Sequence, residues 1–139
     1  MKILFVCQYN VGRSQMAAAM YNKLSSSSDA ESAGTEVEKP GQTLLERTKE
    51  RGGASHVIDV MQEEGIDVSN NSRRQVSKSM IKQYDQIISM ADKKHTPEWL
   101  LKASNYAYWH IPDPMTKNYD ETVIAKTQIE NRIKTEFNL

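Results

Sequence analysis

The chain has 139 residues, a length that suits one folded domain, and 38% of its residues are hydrophobic, which is enough to form a core. Lysine and arginine together number 18, as do aspartate and glutamate, so a formal net charge of zero gives no overall attraction to nucleic acid or to a membrane surface. No stretch approaches the roughly 20 apolar residues of a membrane span, and the single cysteine excludes a disulfide within the chain, so we expect one cytoplasmic domain over residues 1–139.

The first predicted strand leads directly into the only cysteine. Residues 3–6 form an apolar run typical of a strand that is buried on both faces, and residues 14–24 are predicted to form a helix. Cys7 is therefore expected at the start of a loop that joins a strand to a helix N-terminus. The free N–H groups of such a loop and the positive end of the helix dipole attract anions and favour a thiolate.

Arg13 lies six residues after Cys7 and is followed by Ser14. A planar guanidinium can hold two oxygens of a tetrahedral oxyanion, and it would stabilise the equatorial oxygens while phosphorus moves to the sulfur. The pattern predicts that Cys7 is a nucleophile and Arg13 a catalytic residue within a phosphate-binding loop. The predicted loop residues are Gln8, Tyr9, Asn10, Val11, Gly12, Arg13 and Ser14.

Beyond this loop, predicted strands and helices alternate along the chain. The further strands are expected at residues 29–33, 87–88 and 106–111, and the further helices at residues 56–65, 77–84, 97–103 and 120–137. Residues 35–53 are polar and are predicted to form a long loop with one helical turn. This alternation predicts a single α/β domain, a four-stranded parallel sheet flanked by helices on both faces. Ligands bind at the carboxyl ends of such strands.

The segment CQYNVGRS, from Cys7 to Ser14, resembles the active-site loop of low-molecular-weight protein tyrosine phosphatases and of the related thioredoxin-coupled arsenate reductases. The resemblance covers nearly the whole chain. The further matches are SAGT from Ser32, GIDVS from Gly65, YDQIISM from Tyr84, and the pair Asp113-Pro114. It implies a hydrolase of phosphate monoesters that works through a phosphocysteine intermediate and needs no cofactor or metal. Its expected partners are a phosphorylated protein or a small aryl phosphate, with inorganic phosphate or another oxyanion as ligand.

The resemblance also implies that Asp113 is the third catalytic residue. When the sulfur attacks phosphorus, the leaving phenolate oxygen must be protonated. A carboxylic acid on a loop that faces the phosphate-binding loop can supply this proton as the general acid. Pro114 would stiffen the loop. The family usually has an aromatic residue next, which flanks the substrate ring, whereas this chain has Met115, and the nearest downstream aromatic is Tyr119.

A supporting network is implied in the same way. Asn10 would hold the loop in its strained shape through Ser32 and through a polar residue at position 70 or 71, for which we take Asn71. Ser14 would form a hydrogen bond with the sulfur of Cys7.

Cysteine content separates the hydrolase from two alternatives. Many of the phosphatases have a second cysteine at the position of Gly12, and the reductases have two more in the region that here contains Ala91 and His95. With one cysteine, an internal redox relay cannot operate, so hydrolysis is the favoured reaction. The alternatives are an arsenate reductase that uses an external thiol and an oxyanion-binding regulatory module with weak catalysis. The three histidines do not have the spacing of a zinc site.

Overall fold

The computed structural model describes residues 1–114 and 118–139. It contains one sheet whose neighbouring strands are all parallel, in the spatial order β2-β1-β3-β4. The strands are β1 (Ile3–Cys7), β2 (Ala30–Gly34), β3 (Gln86–Ser89) and β4 (Tyr106–Tyr108). The predicted four-stranded parallel sheet is therefore confirmed. The last strand is shorter than predicted: it ends at Tyr108, which is paired with Ser89, the last residue of its neighbour β3.

Helices connect the strands and follow the last one. They are α1 (Arg13–Ser25), α2 (Leu44–Arg47), α3 (Ala54–Glu63), α4 (Glu98–Leu101) and α5 (Tyr119–Phe137). Two short segments, Lys78–Gln83 and Lys93–His95, are 3₁₀ helices, so the helix predicted at residues 77–84 has the tighter form. Within the described ranges, no helix combines the length and the apolar character that a membrane crossing requires.

The core has two parts, one on each face of the sheet. Along β1, Ile3 and Phe5 pack on one face against residues of α1, α3 and α5. Leu4 and Val6 point to the opposite face and pack with a second cluster that includes Leu100 of α4. All four side chains are fully buried. Because successive strand residues point to opposite faces, the apolar run of β1 needs cover on both sides, and the predicted helices on both faces are confirmed.

The strand order places the end of β1 at the topological switch point of the sheet, between β2 and β3. From β1 the chain passes through α1 to β2 on one side, and it later returns to β3 on the other side of β1. In open α/β sheets, ligands bind in the crevice at such a switch point, beyond the carboxyl ends of the strands. Cys7 is the last residue of β1 and is paired with Gly34 of β2.

Candidate active site

The loop between β1 and α1 has a backbone that is shaped for binding an anion. In the described part of the chain, the backbone N–H groups of residues 9–12 donate to no other protein group. Gly12 is the N-cap of α1 and has no side chain to cap the helix, so the positive end of the helix opens towards the same loop. Unpaired N–H groups beside a helix N-terminus are an anion-binding arrangement.

Cys7 lies beneath this loop and is almost completely buried. Its Sγ atom is 3.0 Å from Oγ of Ser14. That hydroxyl oxygen already accepts a hydrogen bond of 2.7 Å from Nδ2 of Asn10, so its own hydrogen can be directed to the sulfur. The network therefore orients the Ser14 hydroxyl towards the sulfur of Cys7.

Asn10 links the loop to neighbouring elements. Its Nδ2 also donates to Oγ of Ser32 in β2, at 3.0 Å, and its Oδ1 accepts from the backbone N–H of Arg74, at 2.7 Å. The backbone of Asn10 is in the left-handed region, with φ of 55°. Asparagine adopts this conformation more readily than most residues, so one residue provides both the turn and its anchors.

In the structure, Asn71 is connected to Asn10 only through Gln15 and does not contact it directly. Its Nδ2 donates to Oε1 of Gln15, at 3.3 Å, and Gln15 in turn donates to the backbone carbonyl of Asn10, at 3.2 Å. The direct contact expected from Asn71 is made instead by the backbone of Arg74. Sequence reasoning missed the contacts of both Gln15 and Arg74. Arg74 contributes a backbone N–H group, which has no sequence signature, and the Gln15 contacts depend on how the side chain packs between the loop and Asn71.

Arg13 is held by the ends of other strands. Its Nη1 donates to the backbone carbonyl oxygens of Met90, at 2.5 Å, and Ile111, at 3.0 Å. These residues follow β3 and β4, so the guanidinium spans the carboxyl edge of the sheet. Its position, directly after the loop, is therefore set by contacts with residues far away in sequence.

Asp113 faces Arg13 from the segment that follows β4. Its Oδ2 lies 3.6 Å from Nη2 of Arg13, and about a third of its side chain is exposed. Asp113 and Pro114 line the same pocket as Cys7 and Arg13. The two residues that are furthest apart in the predicted catalytic set, Cys7 and Asp113, are thus brought to one pocket. Met115 lies outside the described residues.

The rest of the pocket wall was only partly expected. Loop residues Tyr9, Val11 and Gly12 line it. Other parts of the wall come from α3, from α5 and from the polar segment 35–53; these residues are Arg47, Gly52, Gly53, Val57 and Thr122. The length and polarity of segment 35–53 were the only sequence signal for its contribution, because long loops over such sheets often reach the binding edge.

A charged cluster connects segment 35–53 to the binding loop. Arg73 is fully buried and donates to the backbone carbonyl of Tyr9 from Nε, at 3.1 Å, and from Nη2, at 2.8 Å. Arg73 and Arg47 both form ion pairs with Glu38, at 3.2 and 2.5 Å. Burial alone would raise the pKa of Glu38, but the hydrogen bonds from Arg73 and Arg47 outweigh it and lower the pKa to about 2.

The histidines have separate surroundings. His95 is 3.2 Å from Glu36, which also accepts a hydrogen bond from Gln8, and His110 is 3.2 Å from the hydroxyl of Tyr108. Throughout residues 1–114 and 118–139, no group of three or more histidine, cysteine, aspartate or glutamate side chains is arranged to hold a metal ion.

Comparison with known proteins places this site in a family context. A putative arsenate reductase of Halobacterium salinarum is 28% identical over 137 residues, covering 99% of this chain and 91% of that protein. The low molecular weight protein-tyrosine-phosphatase Wzb of Salmonella typhi is 28% identical over 140 residues, with coverages of 93% and 87%. The structure of Vibrio vulnificus Wzb in complex with benzylphosphonate has a TM-score of 0.76 and 25% identity, covering 97% of this chain and 95% of that chain.

The family model for low molecular weight phosphotyrosine protein phosphatases matches residues 2–137, which is nearly the whole chain. The predicted resemblance is therefore confirmed, and the chain belongs to the low molecular weight phosphotyrosine protein phosphatase family.

Proposed function

We propose that the protein hydrolyses phosphate monoesters, with phosphotyrosine in proteins as its substrate class, through a covalent phosphocysteine intermediate. The observation that carries the proposal is the arrangement at the end of β1: a buried cysteine sulfur, a loop with unpaired N–H groups, and Arg13 beside it. This arrangement would hold three phosphate oxygens while leaving phosphorus within reach of the sulfur. Val11 in the pocket wall favours an aryl ring over a guanidinium.

In the first step, Sγ of Cys7 attacks phosphorus, the S–P bond forms and the P–O bond to the leaving group breaks. Asp113 gives its proton to the leaving oxygen, so that a phenol departs rather than a phenolate. Arg13 and the loop N–H groups stabilise the charge on the three equatorial oxygens. Every part of this step is supplied by groups that line the pocket.

In the second step, water attacks the phosphorus of the phosphocysteine. Asp113, now a carboxylate, takes a proton from that water, the new P–O bond forms and the S–P bond breaks. Inorganic phosphate and the cysteine thiolate are the products. Ser14 stabilises the departing thiolate, because its hydroxyl lies 3.0 Å from the sulfur.

Arsenate reduction is the second candidate, and the similarity to the putative arsenate reductase of Halobacterium salinarum favours it. Reduction of arsenate to arsenite consumes two electrons. Since Cys7 is the only cysteine of the chain, two thiols of the protein cannot supply these electrons by forming a disulfide within it. This reaction would need thiols from outside, such as glutathione with glutaredoxin.

The test compares wild type, Cys7→Ser and Asp113→Asn with two substrates, para-nitrophenyl phosphate and phenyl phosphate. We expect Cys7→Ser to have no measurable turnover. Asp113→Asn should lose about 10² to 10⁴ in kcat on phenyl phosphate and much less on para-nitrophenyl phosphate, because nitrophenolate leaves readily without a proton.

Arsenate reduction with glutathione and glutaredoxin is measured with the same preparations. Asp85→Asn is the control, because Asp85 is an exposed aspartate that precedes β3, at the opposite edge of the sheet. Arsenate reduction without phosphatase activity would move the assignment to the reductase. Tight phosphate binding with neither activity would assign an oxyanion-binding module.

A further inference from the structure

Arg47 is a buried arginine in the pocket wall to which the reaction described above assigns no role. It lies at the end of α2, in the polar segment 35–53, and lines the same pocket as Cys7, Arg13 and Asp113. Only 4% of the residue is exposed. Its Nε–H group is buried and has no hydrogen-bond partner among the described residues. A buried donor without an acceptor is costly, so this side chain is incompletely satisfied.

The charges around Arg47 do not cancel. Its Nη1 is paired with Glu38, but Glu38 also serves the buried Arg73, so one carboxylate is shared by two guanidinium groups. The nearby carboxylate of Glu50 is itself paired with Lys39, at 2.6 Å. The cluster of Glu38, Arg47 and Arg73 therefore keeps one unit of positive charge beside the pocket.

We infer that Arg47 is a specificity residue that recognises a second anionic group on the substrate, next to the phosphate held by the loop. The inference rests on the proposed phosphatase function and names its substrate class: aryl phosphates with a carboxylate or another anion on or beside the ring. After a rotation of the side chain, an anionic oxygen would supply the acceptor that Nε–H lacks. Guanidinium is well suited to such an anion because its hydrogen bonds are charge-assisted.

Pairing with Glu38 supports this assignment rather than opposing it. The ion pair holds Nη1, and Glu38 is in turn held by Arg73, which is bonded to the binding loop through the carbonyl of Tyr9. These contacts therefore fix the position of Arg47 relative to the phosphate-binding loop.

The experiment uses two matched substrate pairs that differ only in charge. The first is 4-carboxyphenyl phosphate against 4-carbamoylphenyl phosphate. The second is a phosphotyrosine peptide with glutamate against the same peptide with glutamine directly before the phosphotyrosine. For each pair, the ratio of kcat/KM is measured in wild type, Arg47→Gln, Arg47→Lys and Arg51→Gln. Arg51 is an exposed arginine of the same segment and is the matched control.

We expect the wild type to prefer the anionic member of at least one pair, and this preference to fall about tenfold in Arg47→Gln, since a charge-assisted hydrogen bond is lost. Arg47→Lys should keep part of the preference, and Arg51→Gln should keep all of it. A preference in the first pair assigns the anion to a small aryl substrate, and one in the second assigns it to a protein substrate. Equal losses on both members of each pair in Arg47→Gln would overturn the inference.

Two measurements separate this inference from the proposed function. Binding of 4-carboxybenzylphosphonate and 4-carbamoylbenzylphosphonate is measured by calorimetry, which needs no turnover, and the carboxylate should bind more tightly in a manner that depends on Arg47. In wild type, the preference should weaken as potassium chloride is raised, because salt screens the attraction. If Arg47→Gln does not fold, the wild type alone can still refute the inference, because the absence of any preference for the anionic substrates would contradict it.

Discussion

Asn10 combines a backbone constraint with a set of side-chain hydrogen bonds. Its φ of 55° turns the loop, while its amide contacts Ser14, Ser32 and the backbone of Arg74. These contacts orient the hydroxyl that faces the sulfur of Cys7. The shape of the loop and the environment of the sulfur are thus set by one side chain that does not line the pocket itself.

Two substitutions at position 10 should separate these contributions. Asn10→Gly keeps the left-handed backbone accessible and removes the hydrogen bonds, whereas Asn10→Ala removes the bonds and adds backbone strain. We expect Asn10→Ala to be less stable than Asn10→Gly by about 1 kcal/mol, and both to be less active than wild type. Urea denaturation and phosphatase kinetics measure the two effects. Equal stability of the two variants would contradict the role assigned to strain.

At the scale of elements, the end of β2 supports the binding loop. The backbone N–H of Thr35 donates to the carbonyl of Cys7, at 2.9 Å, and that of Glu36 donates to Gln8, at 2.8 Å. This close approach is possible because Gly34 has no side chain. A Cβ atom at position 34 would lie 2.8 Å from the backbone N of Asn10 and 2.8 Å from the carbonyl oxygen of Gln8.

Gly34→Ala should therefore displace the binding loop. We expect a loss of about 2 kcal/mol in the free energy of unfolding, typical of overpacking at a site that cannot relax freely, together with weaker phosphate binding. Gly52→Ala is the control for stability, since a Cβ atom there meets nothing within 4 Å. Denaturant titration and calorimetric phosphate binding report the two effects, and a fully stable Gly34→Ala would disprove the steric argument.

At the scale of the whole molecule, the Glu38 cluster joins three distant parts of the chain. Glu38 and Arg47 belong to the polar segment 35–53, Arg73 lies beyond α3, and Tyr9 belongs to the binding loop. Hydrogen bonds from the two arginines offset the effect of burial and lower the pKa of Glu38 to about 2, from an ordinary value of 4.5. A carboxyl with a lower pKa in the folded state stabilises the fold above its ordinary pKa and loses that contribution as pH falls towards the lowered value.

The acid stability of the protein should reflect this carboxylate. Between about pH 4.5 and pH 2, wild type should lose stability more steeply than Glu38→Gln, and the difference between them should shrink as pH falls. The effect is moderated by solvent, because 41% of the Glu38 side chain is exposed. Thermal unfolding across this range provides the measurement, with the exposed Glu98→Gln as control. If the stability of wild type and of Glu38→Gln changed in parallel across this pH range, the stabilising role of the Glu38 carboxylate would be contradicted.

Local patterns in the sequence account for the elements and for one side of the candidate site. The apolar run before Cys7, the following helix and the six-residue spacing to Arg13 predict the strand, the loop and the helix, because these features depend on neighbouring residues. Alternating strands and helices likewise predict the parallel sheet. Asp113 was expected from the family resemblance, because a turn containing aspartate and proline has no distinctive pattern of its own.

Long-range contacts decided the remainder. The sequence by itself determined the strand, the loop, the helix and the pair of Cys7 and Arg13, since their geometry follows from residues that are adjacent in the chain. Only the tertiary structure brought Asp113 opposite Arg13, placed Arg47 in the pocket wall and assigned Arg74, rather than Asn71, as the partner of Asn10. These contacts join segments that are distant in sequence, and they form only when the packing of the sheet and helices brings the strand ends and the polar segment together.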